Sequence, residues 1–293
     1  MRQTDRVRTI DFAKGHGTLN DFVLVPDLDG SLELSETDVR FLADRHAGIG
    51  GDGVIRVAPL AAAPAEVGEA APDARWFMDY RNADGSEAEM CGNGTRVFAQ
   101  FLADRGLVGN VEFPIATRAG RKLISRVEHG FRTDLGPWTL SRADEARGRG
   151  MDSVVQVVGS PDPLPAISLD LGNPHTVVAL PPSISLEHLD LSVAPRVDPE
   201  PPHGTNVEFV RAIGPRHISM RVHERGVGET LSCGTGAAAA ALATWWWAGT
   251  PSDELAWRVD VRGGTLMVDI DGGGVGLAGP AHIVAAGQVS LPD

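Results

Sequence analysis

The amino-acid sequence predicts an α+β fold made of two similar halves, on three observations. Short runs in which polar and apolar residues alternate, a pattern typical of strands, recur along most of the 293 residues. Each half contains one long helical segment, so strands do not alternate regularly with helices as in a parallel βαβ sheet. Each of these helical segments follows a Cys-Gly-x-Gly sequence, at Cys91 and at Cys233, and the two cysteines are separated by close to half of the chain.

Strands are expected where residues alternate between clusters of glycine, proline or asparagine. In the first half these runs are Val7–Phe12, Asp21–Val25, Val54–Val57, Trp76–Tyr80, Val111–Phe113 and Lys122–Val127. In the second half they are Val154–Val158, Val177–Leu180, Asn206–Arg211, His217–His223, Trp257–Val261, Thr265–Ile270 and Val275–Leu277. A Gly-rich turn is expected between the first two strands, a surface excursion at Ala61–Pro72, and an antiparallel meander over the last three strands.

Helices are expected at three places. Ser35–Asp44 begins at a suitable N-cap, Ser35 or Thr37. The long helix of the first half is expected at Thr95–Arg105, because four large apolar residues of this segment fall on one helical face. These residues are Val97, Phe98, Phe101 and Leu102. The long helix of the second half is the alanine-rich segment Ala237–Trp247.

Composition limits the classes of function. The formal net charge is −13, which argues against a nucleic-acid-binding protein, because such proteins usually carry a basic face. Met1–Arg6 is polar and no apolar segment of a secretion signal follows it. The longest apolar stretch, Gly236–Gly249, is shorter than the about 20 residues that span a bilayer. We therefore expect a cytoplasmic protein with no nucleic-acid or membrane partner.

The two cysteines have several possible roles. A disulfide is disfavoured by the lack of a secretion signal and by a chain long enough to form its own core. Neither cysteine has a Cys-x-x-Cys partner or nearby paired histidines, which disfavours structural zinc, and we expect no metal. A thiol-redox protein would be expected to place its cysteines close together in sequence.

A Cys-Gly-x-Gly sequence before a helix places the thiol at the helix N-terminus. Glycine lets the backbone turn tightly there, and the first N–H groups of a helix bind anions such as a carboxylate. The positive end of the helix dipole favours a thiolate, so at least one thiol is expected to titrate well below ~8.5. Two such thiols, one in each half, predict two similar domains that face each other across a cleft.

Two opposed thiols suit the inversion of a stereocentre. One group removes a proton from one face of the carbon and the other delivers a proton to the opposite face. Helix N-termini would hold the α-carboxylate and stabilise the negative charge that develops as the α-proton leaves. Pyridoxal phosphate is not indicated, because the chain has only two lysines, Lys14 and Lys122, and no cofactor is expected.

The chain resembles the diaminopimelate epimerase family, whose members interconvert LL- and meso-diaminopimelate without pyridoxal phosphate. Eight motifs carry the resemblance in the family's order. They are Gly15–Phe22 (GHGTLNDF), Arg45–Gly50 (RHAGIG), Asn82–Ser86 (NADGS), Cys91–Gly94 (CGNG), Gly172–His175 (GNPH), Gly204–Asn206 (GTN), Glu224–Thr230 (ERGVGET) and Cys233–Gly236 (CGTG). This resemblance implies an isomerase of lysine and peptidoglycan precursor biosynthesis that acts on a small molecule.

The resemblance also implies the architecture. It is two pseudo-symmetric domains, each a curled, mostly antiparallel sheet around a central helix. We place the halves at 1–135 and 136–280, with a final strand at 281–293 that returns to the first domain. A homodimer is the assembly that the resemblance implies.

Site residues follow from the resemblance, position by position. Cys91 and Cys233 correspond to the acid/base pair, and His175 and Glu224 to residues that tune the thiols. The backbones of Gly92, Asn93, Gly234 and Thr235 correspond to the carboxylate cradle. The remaining substrate-binding positions are Asn20, Asn82, Asn173, Asn206, Glu224 and Arg225. The last two correspond to the pair that holds the distal ammonium and carboxylate of diaminopimelate.

Two positions depart from the family pattern: Gly53 stands where glutamine is frequent, and Thr176 where a further cysteine often follows the histidine.

Proline racemases, hydroxyproline epimerases and a phenazine-pathway isomerase branch that lacks the cysteine pair share the fold. Glu224-Arg225 favours a substrate with a second charged end over proline. A silent amino-acid-binding protein is the alternative from another class, and retention of both cysteines argues against it.

Overall fold

The computed structural model describes residues 8–109, 111–252, 255–271 and 273–292, which form two compact units. The first consists of the described residues up to Thr133 together with those from Pro280 onwards, and the second of residues 134–279. The sequence-derived boundaries, 135/136 and 280/281, lie within a few residues of these. The polar N-terminal residues through Val7, and Asp293, lie outside the described residues.

The strands that begin in the first unit are β1 (Thr9–Gly17), β2 (Asn20–Pro26), β3 (Gly53–Pro59), β4 (Trp76–Asn82), β5 (Glu112–Thr117), β6 (Gly120–Val127) and β7 (Gly130–Pro137). Its helices are α1 (Glu36–Ala43), α2 (Ala65–Ala70) and α3 (Gly92–Asp104). The strands of the second unit are β8 (Thr139–Leu140), β9 (Ser153–Gln156), β10 (Leu164–Asp170), β11 (Pro174–Ala179), β12 (Arg196–Asp198), β13 (Asn206–Gly214), β14 (His217–Glu224), β15 (Gly228–Thr230), β16 (Ala256–Val261), β17 (Gly264–Asp271) and β18 (Gly274–Gly279). Its helices are α4 (Ala143–Arg149) and α5 (Gly234–Trp247), and β19 (His282–Ser290) completes the chain. Short 3₁₀ turns occur at Leu60–Ala62 and Leu186–His188.

The first unit is a mostly antiparallel sheet around α3. Its strands follow the order β19-β1-β2-β3-β4-β5-β6-β7, and only the β2–β3 and β4–β5 pairs are parallel. Helix α3 contacts β19, β1, β2, β3 and β4, so the sheet curls around it. Val97, Phe98, Phe101 and Leu102 are buried. Burial of each of these side chains contributes about 1.5–3 kcal/mol, which makes this helix face the centre of the core.

The second unit has the same plan around α5. Antiparallel pairs again predominate, with β11–β13 and β14–β16 as the parallel exceptions, and β16, β17 and β18 form the antiparallel meander that the sequence predicts. All residues of Ala237–Ala243 are buried, since the helix contacts strands from β10 to β18. A helix that is apolar on all sides is buried on all sides, and alanine lets the strands approach closely. The α+β class predicted from the sequence is confirmed.

Helix α1 begins where the sequence predicts. Ser35 is its N-cap: its Oγ accepts the N–H of Asp38 at 3.1 Å, and the Asp38 carboxylate accepts the N–H of Ser35 at 2.8 Å. This reciprocal capping box satisfies two backbone donors at the helix start. No helix in the described ranges is long and apolar enough to cross a membrane.

The predicted Gly-rich turn between the first two strands is wrong in its placement. Gly15 and Gly17 belong to β1, and the turn consists of Thr18 and Leu19 at φ 49° and 63°. A Cβ at Gly15 would lie 2.8 Å from Val97 Cγ1 in α3. The glycines therefore serve the close packing of a helix on a strand rather than a turn.

Several short elements were not indicated by the sequence. Helix α4 buries only Ala146 and α2 only Val67, so neither shows an apolar stripe. Helix α2 lies within the segment that we expected to be a surface excursion. The strands without a sequence signal are β7, β8, β10, β12 and β15.

Candidate active site

Both cysteines stand at the N-terminus of the central helix of their unit. Cys91 is the N-cap residue of α3 and Cys233 that of α5, each in an extended backbone conformation, and they are not disulfide-bonded. The carbonyl oxygen of Cys91 accepts the N–H of Thr95 at 2.8 Å, and that of Cys233 accepts the N–H of Ala237 at 2.9 Å. Each cysteine therefore caps the end of its helix that attracts anions, and the Cys233 Sγ also accepts the first-turn N–H of Gly236 at 3.3 Å.

Asn20 brings the first thiol into a polar cluster. Its Oδ1 accepts from the Cys91 thiol at 3.6 Å and from Asn93 Nδ2 at 3.1 Å. Its Nδ2 donates to the carboxylate of Asp52 at 2.6 Å, which fixes the orientation of the amide. Asn20, Cys91, Asn93 and the Gly92 backbone between them therefore form one group of predicted site residues.

Asn82 is the last residue of β4 in the same unit. Its carboxamide donates to Ser86 Oγ at 3.0 Å and accepts from the Tyr80 hydroxyl at 3.2 Å. Among the described residues it makes no hydrogen bond to the Asn20–Cys91–Asn93 group. Gly53 pairs with Asn82 across the β3–β4 ladder, and a Cβ at Gly53 would lie 2.6 Å from the Tyr80 ring. The ring therefore explains why glycine, and not glutamine, fits at position 53.

A chain of hydrogen bonds links Cys233 to a fully buried carboxylate. The Cys233 thiol is 3.6 Å from Thr235 Oγ1, which accepts from Asn173 Nδ2 at 3.2 Å. Asn173 Oδ1 is 3.1 Å from His175 Nε2, and the other ring nitrogen of His175 is 2.7 Å from Glu208. Because His175 and Glu208 are fully buried, the imidazole is held rigidly behind the thiol.

Asn206 and Glu224 complete the second group of predicted residues. Asn206, opposite His175 on the β11–β13 pair, accepts the backbone N–H of Arg225 at 2.9 Å and donates to the Pro174 carbonyl at 3.2 Å. The carboxylate of Glu224 accepts from the Thr230 hydroxyl, and its charge acts on the buried thiol of Cys233. Arg225 is exposed, and its guanidinium donates to the His203 carbonyl at 2.9 Å.

The electrostatics of Cys233 oppose the simple helix-dipole expectation. Burial raises the pKa of its thiol well above the usual range, and the carboxylates of Glu224 and Glu208 raise it further. The Gly236 N–H, 3.3 Å from Sγ, and Thr235 act in the opposite direction and are outweighed. Burial likewise raises the pKa of Glu224. Cys233 is therefore not the thiol that meets the expectation of a lowered pKa, because desolvation and two carboxylates outweigh the helix dipole there, and that expectation now concerns Cys91.

We expect the pKa of the Cys233 thiol to lie well above the ordinary range of a cysteine, because the thiol is buried beside two carboxylates. In the Cys91→Ala variant Cys233 is the only thiol, so its ultraviolet thiolate absorbance can be followed against pH. Glu208→Gln should lower the midpoint by about one pH unit, because it removes one negative charge and keeps an acceptor for His175. The exposed Glu200→Gln is the matched control and should leave the midpoint unchanged. A midpoint within or below the ordinary range of a cysteine thiol in the Cys91→Ala protein would contradict this electrostatic account.

Sequence reasoning did not identify two residues of these clusters, Glu208 and Arg96. Glu208 is an acidic residue inside the otherwise apolar run Val207–Val210, and this unusual position is the one feature of the sequence that could have identified it. Its Oε1 would lie 2.7 Å from a Cβ at Gly236, so that glycine makes room for the carboxylate beside the thiol. Arg96 follows the first Cys-Gly-x-Gly sequence and is fully buried in α3 among apolar residues.

Comparison with known proteins identifies relatives over nearly the whole chain. The family model "Diaminopimelate epimerase" matches residues 12–140 and 167–284. The diaminopimelate epimerase of Thermobifida fusca is 45% identical over 287 residues, covering 96% of this chain and 98% of the relative. The enzyme of the same name from Corynebacterium glutamicum is 43% identical over 290 residues, covering 97% and 99%.

Solved structures with low sequence identity share the fold. A hydroxyproline epimerase from Agrobacterium vitis superimposes with a TM-score of 0.64 at 14% identity, covering all of this chain and 95% of that structure. A PhzF-family phenazine biosynthesis protein from Bacillus anthracis gives a TM-score of 0.64 at 18% identity, covering 97% and 100%. At these identities the similarity concerns architecture alone.

Proposed function

The chain belongs to the diaminopimelate epimerase family, and we propose that it interconverts LL- and meso-diaminopimelate with Cys91 and Cys233 as its acid/base pair. The two cysteines are assigned as the pair because they occupy equivalent positions. Each cysteine is the N-cap residue of the buried central helix of its own unit. The activity places the enzyme among the isomerases of lysine and peptidoglycan precursor synthesis.

The reaction inverts one α-carbon by two proton transfers. A cysteine thiolate takes the α-proton from one face, leaving the electron pair on the α-carbon and its carboxylate. Backbone N–H groups at a helix N-terminus bind a carboxylate and stabilise added negative charge on it, and each unit has such groups next to its cysteine, at Gly92-Asn93 in α3 and at Gly234-Thr235 in α5. The second cysteine then donates its thiol proton to the opposite face, so that one thiolate and one thiol have exchanged roles.

The surroundings of Cys233 suit a thiol that is protonated at rest. Its raised pKa keeps the proton on sulfur until charge develops on the substrate. Once the proton has left, the Gly236 N–H at 3.3 Å and the Thr235 hydroxyl at 3.6 Å stabilise the thiolate. In the reverse direction Cys233 must start as a thiolate, and these two donors lower the free-energy cost of that form without outweighing the burial and carboxylates that raise the pKa.

The distal end of the substrate distinguishes diaminopimelate from proline. We assign Glu224 and Arg225 to the distal ammonium and carboxylate, since arginine binds a carboxylate through two parallel hydrogen bonds. Asn206 fixes the backbone at this point through its bond to the Arg225 N–H. Proline has no second charged end, and hydroxyproline adds only a hydroxyl. The similarity to the hydroxyproline epimerase concerns the fold alone, whereas the relatives that are 43–45% identical are named diaminopimelate epimerases, which supports diaminopimelate as the substrate.

The direct test is a comparison of substrates, and its sharpest variant is Arg225→Lys. The wild-type protein should epimerise LL-diaminopimelate and leave proline and hydroxyproline unchanged. Arg225→Lys should lower kcat/KM for diaminopimelate by about 100-fold, because lysine cannot reproduce the two-pronged contact and remote binding energy orients the α-carbon. The exposed Arg196→Lys is the matched control. Turnover of proline at a comparable kcat/KM, or an unaffected Arg225→Lys enzyme, would overturn the substrate assignment.

The setting of the enzyme belongs to the same proposal. We place it in the cytoplasm as a homodimer whose partners are its small-molecule substrates, and not nucleic acid or membranes. The net charge of −13 and the family's biosynthetic role support this placement. Size-exclusion chromatography with light scattering would test the dimer.

A further inference from the structure

Arg96 is a buried cation with no carboxylate partner in the part of the chain that the structure describes. Its side chain has no solvent-exposed surface, and among the described residues it forms no ion pair. Other arginines in interior positions are paired: Arg56 lies 2.6 Å from Asp27, and Arg221 lies 2.7 Å from Glu229. Burying a charge without a partner costs several kcal/mol, so a purely structural role is a poor account of Arg96.

The guanidinium of Arg96 points to the segment that carries the first thiol. Nη1 donates to the Gly92 carbonyl at 3.2 Å, and Nη2 donates to Asn93 Oδ1 at 2.9 Å and to Thr18 Oγ1 at 3.3 Å. Nε has no hydrogen-bond partner within the described residues. The bonds thus converge on the two residues that directly follow Cys91 and on the turn that precedes Asn20.

The surrounding backbone is adapted to this side chain. A Cβ at Gly17 would lie 3.0 Å from Nη2 of Arg96, so glycine leaves the space that the guanidinium occupies. Thr18, which accepts one of its hydrogen bonds, has φ 49°, a left-handed conformation that β-branched residues rarely adopt. Strain of this kind persists where the surrounding structure enforces it, and here it holds the threonine hydroxyl against Arg96.

The positive charge of Arg96 also acts on the Cys91 thiol. Burial lowers the pKa of Arg96 to about 10, and a negative charge on Cys91 acts in the opposite direction. The guanidinium therefore remains protonated at neutral pH. By the reciprocity of Coulomb attraction, the cation that a thiolate stabilises also stabilises the thiolate.

We propose that Arg96 is a positioning residue for Cys91, whose charge favours the thiolate and whose hydrogen bonds hold the Gly92-Asn93 turn. The proposal rests on the proposed function in that it assigns the thiol a role in proton transfer. The two thiols then have neighbours of opposite charge: the Arg96 cation for Cys91, and the carboxylates of Glu208 and Glu224 for Cys233. One thiol is thereby favoured as the base and the other as the acid at the start of a turnover.

Titration of Cys91 alone tests the charge. In the Cys233→Ala background, thiolate absorbance reports only Cys91, and Arg96→Met should raise its midpoint by about one pH unit or more. Arg105→Met, at the exposed C-terminal end of the same helix, is the matched control and should leave the midpoint unchanged. An unchanged midpoint in a folded Arg96→Met protein would overturn the proposal.

Arg96→Lys keeps the test decisive if the methionine variant does not fold. Lysine retains the positive charge but not the several N–H donors of the guanidinium, so the Cys91 midpoint should stay near its original value. In the protein with both cysteines, kcat/KM should fall about tenfold or more because the Gly92-Asn93 turn loses its support. A full kcat/KM in Arg96→Lys, or a midpoint raised as far as that of an ordinary thiol, would overturn the proposal. These titrations need no turnover, whereas activity of Cys91→Ala would instead overturn the proposed function.

Discussion

Replacement of either Cys91 or Cys233 by alanine is expected to abolish epimerisation in both directions, with kcat/KM reduced by at least about 10⁴-fold. Inversion needs a base on one face of the α-carbon and an acid on the other, and each cysteine serves as base for one isomer and acid for the other. A variant that lacks one thiol therefore fails from either starting isomer. The measurement is kcat/KM from LL- and from meso-diaminopimelate.

Serine variants refine this expectation. Cys91→Ser and Cys233→Ser should each lose several orders of magnitude, because a hydroxyl is a far weaker acid and base than a thiol near neutral pH. Thermal unfolding provides the control, since neither substitution removes large apolar area and the melting temperatures should stay close to that of the parent protein. Near-normal turnover by either alanine variant in one direction would remove the two-thiol assignment.

The sequence predicts the central helices well for a physical reason. The apolar face of Thr95–Arg105 and the alanine-rich first part of Ala237–Trp247 are both patterns of a helix that is buried against neighbouring elements. The structure begins both helices about one turn earlier, at Gly92 and Gly234. Glycine has low helix propensity, so the first turns that approach each thiol carry little helical signal of their own.

The elements that the sequence does not indicate are those held by tertiary contacts. β10 (Leu164–Asp170) contains Pro165 and follows a Gly/Pro-rich segment, which reads as a loop, yet it pairs with β9 and β11. Helix α4 is mostly charged and ends at Gly150 in the left-handed conformation, a C-terminal cap rather than a periodic pattern. Local pattern alone does not show such pairing.

The sequence likewise predicts some residues of the candidate site and not others. Motifs indicate the positions of Cys91, Cys233 and the asparagines, because glycine-flanked polar residues stand out in a sequence. The roles of Arg96 and Glu208 depend on which charges are buried beside each thiol, and this follows only from three-dimensional contacts. For this reason the sequence indicates the same helix-dipole effect at both thiols and does not say which of them has the lower pKa, while the structure places beside Cys233 carboxylates that raise its pKa.

Solvent deuterium is expected to appear at the inverted α-carbon of essentially all product formed early in the reaction. In a two-base scheme the abstracted proton stays on the first thiol, while the second thiol, already exchanged with D₂O, supplies deuterium to the other face. The remaining LL-diaminopimelate should stay mostly protiated, because return to the starting face redelivers the original proton. NMR or mass spectrometry of both pools, taken at less than about one tenth of equilibrium conversion, measures this directly.

A single-base mechanism gives a different distribution of label. One group would then serve both faces and return the original hydrogen to part of the product, so early product would contain substantial protium. Glu208→Gln provides a useful comparison, because it alters the charge beside Cys233 without removing either thiol. Its rate should change while the deuterium content of the product does not, since labelling depends on which atoms carry the proton and not on how readily they release it. Protium in the early product of the wild-type enzyme would show that Cys91 and Cys233 do not act from opposite faces.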